Sequence, residues 1–127
     1  MPKISPEQAS QVETIEGSYE GRFEELGGYT VAFEHYLADD DLAPLFVGLP
    51  DDHCQCPHWG VVLEGKVSYK YSDGTEDVIT AGEAYYARPG HTPVLYADTR
   101  LVEFSPTGDL EKTMEVVMRN IAAMQEA

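Results

Sequence analysis

The strongest constraint on the fold is the alternation of polar and apolar residues from position 66 onward. The segment reads KVSYKYSDGTEDVIT, in which Lys66, Ser68 and Lys70 alternate with Val67, Tyr69 and Tyr71. A period of two predicts a half-buried β-strand rather than a helix. Asp73 and Gly74 supply a turn, because both tolerate a positive φ, and EDVIT supplies the returning strand. These residues therefore predict a β-hairpin.

Other short segments have the β-branched and aromatic composition of strands, and turn residues separate them. They are YTVAFEHYL (29–37), LAPLFVGLP (42–50), WGVVLEG (59–65), a strand within AGEAYYARPGHTPVLY (81–96) and RLVEFSP (100–106). Short strands at this spacing predict an all-β domain, either a small barrel or a jelly roll.

The two ends of the chain differ from this pattern. Residues 1 to about 27 are polar and interrupted by glycines, which indicates a poorly packed arm or a short edge segment. From Asp109 onward, apolar residues recur at spacings of three and four, which predicts an amphipathic C-terminal helix. The apolar positions are Leu110, Met114, Val117, Met118, Ile121 and Met124.

Composition excludes several classes of protein. The chain has 127 residues, enough for one domain with one core, and a net charge of −15 that phosphate backbones and anionic membranes would repel. We therefore expect neither a nucleic-acid nor a membrane partner. No hydrophobic signal core begins the chain, and no apolar run approaches the roughly 20 residues of a membrane span. We expect a cytoplasmic protein with reduced thiols.

Both cysteines and two of the four histidines lie within the segment HCQCPH, as His53, Cys54, Cys56 and His58. A disulfide between residues two apart on a strand would be strained, since their Cα atoms lie roughly 6.5–7 Å apart. Inert buried thiols are the common alternative. The adjacent imidazoles favour metal ligation instead.

Residues 54, 56 and 58 share one side of a strand, but four residues of straight strand span roughly 13 Å. A bend at Pro57 would bring Cys54, Cys56 and His58 together, whereas a straight strand would allow only two of them to ligate one metal. His53 has the opposite parity and is the weaker candidate. His91 follows a Pro-Gly turn and is the best fourth ligand, although it could equally be a histidine of a surface loop.

These segments resemble the two motifs of the cupin superfamily. VLEG (62–65) is similar to the end of the first motif, and AGEAYYARPGH (81–91) is similar to the second, with Gly82 as the leading glycine. The resemblance implies a double-stranded β-helix, which is a jelly-roll barrel that often binds a divalent metal and often forms a homodimer. It divides the chain into an N-terminal arm (1–28), a cupin β-barrel (29–106) and a C-terminal helix (107–127).

The ligand positions depart from the family pattern. His58 stands where the first motif has its glutamate, and Cys54 or His53 stands at the second histidine. Asp52 or Asp51 stands at the first histidine, and Cys56 is an additional thiol on the same side. The resemblance implies that His91 is the metal histidine of the second motif, so the predicted ligands are Cys54, Cys56, His58 and His91.

Thiolates favour zinc, while iron, nickel and manganese remain alternatives. Four ligands would close the site and make it structural, whereas three would leave a position for chemistry or binding. We expect a metal-binding cupin that binds or acts on a small molecule. The alternatives are a non-catalytic binding or sensor module and a dioxygenase with a non-haem metal, so whether the protein is an enzyme stays open.

Four further residues are candidates for a pocket around the metal: His35, Gly60, Tyr69 and Arg88. His35 could also be a satisfied core histidine, and Gly60 could serve close packing rather than open volume. Tyr69 could belong to the barrel core. Arg88 could pair with one of the many surface carboxylates rather than anchor an anion.

Overall fold

The structure is a computed structural model that describes residues 2–126. Two antiparallel sheets face each other. The larger has the order β1 (Gln11–Ile15), β2 (Tyr19–Leu26), β3 (Tyr29–Tyr36), β10 (Thr99–Pro106), β5 (His58–Glu64) and β8 (Ala84–Ala87). The smaller has the order β4 (Asp40–Asp41), β9 (His91–Leu95), β6 (Lys66–Tyr71) and β7 (Glu76–Thr80).

The core lies between the two sheets. Both sheets contribute residues whose side chains are almost completely buried: Val62, Val67, Tyr69, Ala87, Leu95 and Leu101. One helix, α1 (Thr107–Glu126), follows the last strand. The structure therefore confirms the predicted all-β jelly roll with a C-terminal helix.

The predicted hairpin is formed by β6 and β7. Lys66 pairs with Thr80 and Lys70 pairs with Glu76, and Gly74 turns the chain at a φ of 89°. Such a φ is accessible to glycine without steric cost, which explains the glycine at this turn. The alternation along β6 places Val67, Tyr69 and Tyr71 in the core, as the sequence predicts.

The polar N-terminal segment is better ordered than its sequence indicates. Of the two alternatives, a poorly packed arm or a short edge segment, the structure favours the second. The segment forms β1 at the edge of the larger sheet and β2 beside it, and β2 pairs along its whole length with β3, from Tyr19–Tyr36 to Leu26–Tyr29. Backbone hydrogen bonds to an existing sheet stabilise a strand that few buried side chains would support alone. Only Gly21 of β2 is fully buried.

The strand expected within residues 42–50 is wrong. This segment forms two short 3₁₀ helices, Ala43–Phe46 and Pro50–Asp52, each with proline in its first turn. Proline lacks the N–H that a central strand needs and favours a helical start. Helix α1 packs on this segment through Val117 and Phe46. Within residues 2–126, no helix has the length and apolar character needed to cross a membrane.

The outer surface of the larger sheet carries a contiguous apolar patch. Trp59 of β5 lies opposite both Phe104 of β10 and Tyr86 of β8, and its ring stacks on Tyr86 with centroids 5.1 Å apart. We call this patch the outer aromatic face, and all of its members are exposed: Tyr29, Trp59, Val61, Leu63, Tyr86 and Phe104.

Candidate metal centre

The segment that contains both cysteines is not a strand. It bends at Cys56, and β5 begins only at His58. Cys54 instead forms an isolated antiparallel bridge with His91, in which the Cys54 N–H donates to the His91 carbonyl at 2.7 Å and the His91 N–H donates back at 3.2 Å. The bridge holds the two predicted motifs side by side, and the bend at Cys56 brings His58 back toward Cys54.

Three side chains converge at this point. One potential ligand atom from each of Cys54, His58 and His91 lies within 4.8 Å of the other two, and Cys54 Sγ is 3.6 Å from His58 Nε2. All three residues are buried, with exposed fractions of 1%, 7% and 1%. A thiol and two imidazoles at these separations match the donor types and number of a three-ligand zinc site.

Both imidazoles are oriented by contacts at their other ring nitrogen. His91 Nδ1 lies 2.6 Å from the Arg88 carbonyl oxygen, so this nitrogen carries the proton and Nε2 is left as an electron-pair donor. His58 Nδ1 lies 2.7 Å from Ser105 Oγ. Such contacts fix the ring orientation and tautomer of metal-binding histidines.

Burial sets the protonation states of the three side chains. Desolvation lowers the pKa of His58 to about 4, and desolvation followed by the neighbouring His58 lowers the pKa of His91 to about 4. Both imidazoles are therefore neutral at pH 7, as metal ligation requires. Burial raises the pKa of the Cys54 thiol to about 12, so a bound cation must displace its proton.

The fourth predicted ligand lies apart from the cluster. Cys56 is buried, but its thiol is directed to the Pro57 carbonyl at 3.5 Å and packs with Phe46 and Val117. Burial raises the pKa of Cys56 to about 12 as well. The Cys56 thiol therefore lies outside the group of three potential ligand atoms, although it shares a buried cluster with Cys54.

The alternative ligands also lie elsewhere. The carboxylate of Asp52 accepts the Gly48 N–H at 3.0 Å and is exposed. His53 Nδ1 contacts the backbone carbonyl of Asp51. Neither His53 nor Asp52 belongs to the cluster of potential ligands.

A cavity of about 750 Å³ adjoins the cluster. Cys54, His58 and His91 line it, and the lining continues to exposed residues of β1 and α1. A volume of this size is typical of small-molecule sites. The three candidate ligands are therefore part of the wall of a space that a small molecule can occupy.

The inner wall of the cavity contains two carboxyl groups that are not among the residues predicted from the sequence, Glu34 on β3 and Glu103 on β10. Tyr69 and Tyr85 each donate a hydroxyl hydrogen bond of 2.8 Å to Glu103 Oε1. Glu103 Oε2 lies 3.6 Å from His58 Nδ1, which places this carboxyl beside the candidate metal ligands.

Glu34 is held in a similar way. Tyr19 donates a short hydrogen bond to Glu34 Oε2, and Tyr36 donates to the same oxygen at 3.3 Å. Burial and then the nearby Glu103 raise the pKa of Glu34 to about 8, and burial raises that of Glu103. The signal in the sequence was parity, because Glu34 shares a strand face with Ala32, and Glu103 with Leu101, both of which are buried.

Of the four predicted pocket residues, one lines the cavity. Tyr69 does so, with an exposed fraction of 4%. His35 occupies the opposite face of β3 from Glu34, and Arg88 lies over the Tyr71 ring and pairs with Asp73 at 2.9 Å. Gly60 is buried where a Cβ would come within 2.6 Å of the Val102 carbonyl oxygen, so it serves close packing.

The sequence matches no protein-family model and no curated protein sequence. Solved structures match its fold. A protein of unknown function from Rhizobium leguminosarum bv. viciae 3841 is 22% identical, with a TM-score of 0.57 over 83% of this chain and 94% of that chain. An RmlC-like cupin from Shewanella frigidimarina NCIMB 400 is 18% identical, with a TM-score of 0.53 over 81% of this chain and 88% of that chain.

A third similar structure is the Fe(II) form of HppE, which is 12% identical with a TM-score of 0.56. The match covers 83% of this chain and 60% of that chain. At such identities the likeness shows the fold alone. The chain has a cupin-type fold, and the interpretation of residues 54–58 as a variant first motif stays a prediction.

Proposed function

We propose that this protein holds a divalent metal ion, with zinc favoured, through Cys54, His58 and His91, and binds a small molecule in the adjacent cavity. The observation that carries the proposal is the convergence of these three buried side chains on one wall of that cavity. Three ligands leave one position of a tetrahedral site for water or a bound molecule.

The surrounding residues support this proposal. The Arg88 carbonyl contacts Nδ1 of His91, and the Ser105 hydroxyl contacts Nδ1 of His58. These contacts hold each imidazole with its Nδ1 directed away from the cluster. The metal would supply a Lewis acid in the cavity. Glu103 lies close enough to the His58 ring to raise its basicity as a ligand, and its tyrosine partners keep the carboxyl in place.

Elemental analysis of purified protein tests the metal site. We expect about one zinc per chain in the wild type after growth with adequate metal, and a loss of most of it in Cys54→Ser, His58→Ala and His91→Ala. Cys56→Ser is the matched control, because it removes a buried thiol two residues away and should keep its metal. Cobalt loading gives a second readout, since a thiolate-to-cobalt charge-transfer band should disappear in Cys54→Ser and persist in Cys56→Ser.

Two results would overturn the proposal. One is wild-type protein with less than about 0.1 metal per chain after metal-replete growth. The other is equal metal loss in Cys54→Ser and Cys56→Ser while both variants stay folded, which would mean that the cluster of three does not define the site.

We also propose that the protein forms a homodimer through the outer aromatic face. The chain carries a net charge of −15, yet this face presents exposed apolar side chains from four neighbouring strands. Contiguous apolar patches on soluble proteins mark interaction surfaces. A second copy of the chain presents the same apolar patch, and pairing the two copies through it removes both from water.

A further inference from the structure

The acidic side chains that line the cavity have no cationic counterparts among its described lining residues. Among residues 2–126, seven carboxyl side chains line it and no lysine or arginine does. Glu34 and Glu103 lie on its inner wall, while Glu25, Asp40 and Glu111 are exposed parts of its lining. Low-dielectric walls lined by one sign of charge concentrate ions of the opposite sign.

The two inner carboxyl groups are neighbours. Glu34 lies opposite Leu101 in the pairing of β3 with β10, and Glu103 lies opposite Ala32. Diagonal neighbours of this kind have Cα atoms roughly 7–8 Å apart and point to the same face of the sheet. A single small group between their side chains can therefore contact both carboxyls.

Each carboxyl has one oxygen occupied and one oxygen available. Both tyrosine hydroxyls on Glu34 donate to Oε2, and both on Glu103 donate to Oε1. The remaining oxygens, Oε1 of Glu34 and Oε2 of Glu103, accept no hydrogen bond from residues 2–126. No fully buried polar side-chain atom of the described residues lacks a partner, so these two oxygens must be accessible from the cavity.

We propose that the cavity binds a small organic ammonium compound, whose positively charged nitrogen lies between Glu34 and Glu103 beside the candidate metal site. An ammonium group donates up to three hydrogen bonds, and the available carboxylate oxygens are the acceptors it requires. The inference rests on the proposed function for the position of the metal, and its charge argument stands on the carboxyl pair alone.

The same arrangement selects against other ligands. At the carboxyl pair, a carboxylate or phosphate ligand would face like charge with no lysine or arginine among the described lining residues to bind it, so an ion at the Cys54–His58–His91 cluster would be its only cationic partner there. A neutral alcohol would form the hydrogen bonds without the charge attraction. The raised pKa of Glu34 is consistent with this arrangement, because burial and then the nearby Glu103 disfavour its charge until a cation lies beside it.

Calorimetric titration with three probes of similar length tests the inference. The probes are 1,4-diaminobutane, which is cationic at pH 7, 1,4-butanediol, which is neutral, and butanedioate, which is anionic. We expect the diamine to bind at least about tenfold more tightly than the diol, and butanedioate to bind most weakly. Equal affinity of diamine and diol, tighter binding of butanedioate, or no detectable binding of the diamine at about 1 mM would overturn the inference.

Two matched variants test whether the diamine binds at Glu34. Without a bound cation Glu34 holds its proton at pH 7, and an ammonium group beside it would favour the ionised form. Glu34→Gln keeps an oxygen that accepts from Tyr19 and Tyr36 but cannot ionise, so it should weaken diamine binding by about tenfold or more. Glu115→Gln removes a charge from an exposed carboxyl on α1 that lies outside the cavity lining, and it should leave binding unchanged. Equal effects of the two variants would contradict a site at Glu34.

Metal content measured on the same samples separates the two proposals. Zinc-loaded protein that does not bind the diamine would overturn the inference but would still support the metal site. Diamine binding that depends on Glu34 in protein with no metal affinity would overturn the metal site and support the ammonium site.

Discussion

The hydroxyl of Ser105 lies 2.7 Å from Nδ1 of His58, on the side of the imidazole opposite to Cys54. Ser105 belongs to β10 and is 3% exposed, so this contact links the last strand of the barrel to the candidate metal centre. Ser105 therefore orients a candidate ligand and is not itself among the candidate ligands.

Ser105→Ala should weaken zinc binding by about 10–100-fold, because loss of an outer contact to a histidine ligand frees the ring and changes its basicity. Competition with a zinc indicator measures the affinity. Ser68→Ala is the control: Ser68 is buried and hydrogen-bonded to Glu76 in the smaller sheet, away from the cluster. Equal losses of affinity in the two variants would show that Ser105 acts only through stability.

Glu34 should make the stability of the metal-free protein pH-dependent. Burial and Glu103 raise the pKa of Glu34 from its ordinary value of 4.5 to about 8, with the nearby Glu13 raising it further and Tyr19 and Tyr36 lowering it. Between these pH values the folded state holds a proton that the unfolded state has lost. The free energy of unfolding therefore falls as pH rises, by up to about 1.4 kcal/mol per pH unit from this group.

Urea unfolding at several pH values checks this dependence. From about pH 5 to about pH 8, the free energy of unfolding of the wild type should fall relative to that of Glu34→Gln, because glutamine does not titrate. The exposed substitution Glu115→Gln should give a curve parallel to that of the wild type. Parallel curves for Glu34→Gln as well would refute the buried, protonated state of this carboxyl.

Gly60→Ala should destabilise the fold by about 1–3 kcal/mol, since its Cβ would come within 2.6 Å of the Val102 carbonyl oxygen and of the Tyr85 ring. A backbone oxygen in a paired strand cannot move away as a flexible side chain can. Gly108→Ala in α1 meets no atom within 4 Å and should be neutral or stabilising by up to about 1 kcal/mol. Denaturant midpoints of the two variants provide the comparison, and similar midpoints would contradict the close packing at Gly60.

If the proposed dimer forms through the outer aromatic face, Trp59→Glu should convert it to a monomer, because the substitution places a charge at the centre of that face. Light scattering coupled to size exclusion measures the mass. Val78→Glu is the control, since Val78 is 55% exposed on β7 of the smaller sheet. A monomeric wild type, or dissociation of both variants alike, would argue against this interface.

Local patterns were sufficient for much of the fold. The alternation in residues 66–71 predicted β6 correctly, and spacings of three and four predicted α1, because side-chain periodicity follows directly from backbone geometry. The strand predicted for residues 42–50 is wrong. Their apolar composition suits a strand, but Pro44 and Pro50 lie in the first turns of two 3₁₀ helices. The strands in the first 26 residues were missed because pairing with β3, rather than local composition, holds them.

The candidate site was predictable only in part. Cys54, His58 and His91 came from residue type and resemblance to family motifs, and the structure brings them together. The separate position of Cys56 depends on how the chain bends before Pro57, which parity on an ideal strand does not describe. The role of Glu34 required knowing which face of β3 is internal, and that depends on pairing across the whole sheet.

The backbone bridge between Cys54 and His91 bears on how the chain would respond to a chelator. In metal-nucleated domains the ion is the crosslink that closes a flexible loop, so its removal restores the conformational entropy of that loop. Here two backbone hydrogen bonds already join the ends of the segment from residue 54 to residue 91. Removing the ion would empty the site but leave these hydrogen bonds in place. The metal-free protein should therefore keep its topology and rebind metal without refolding.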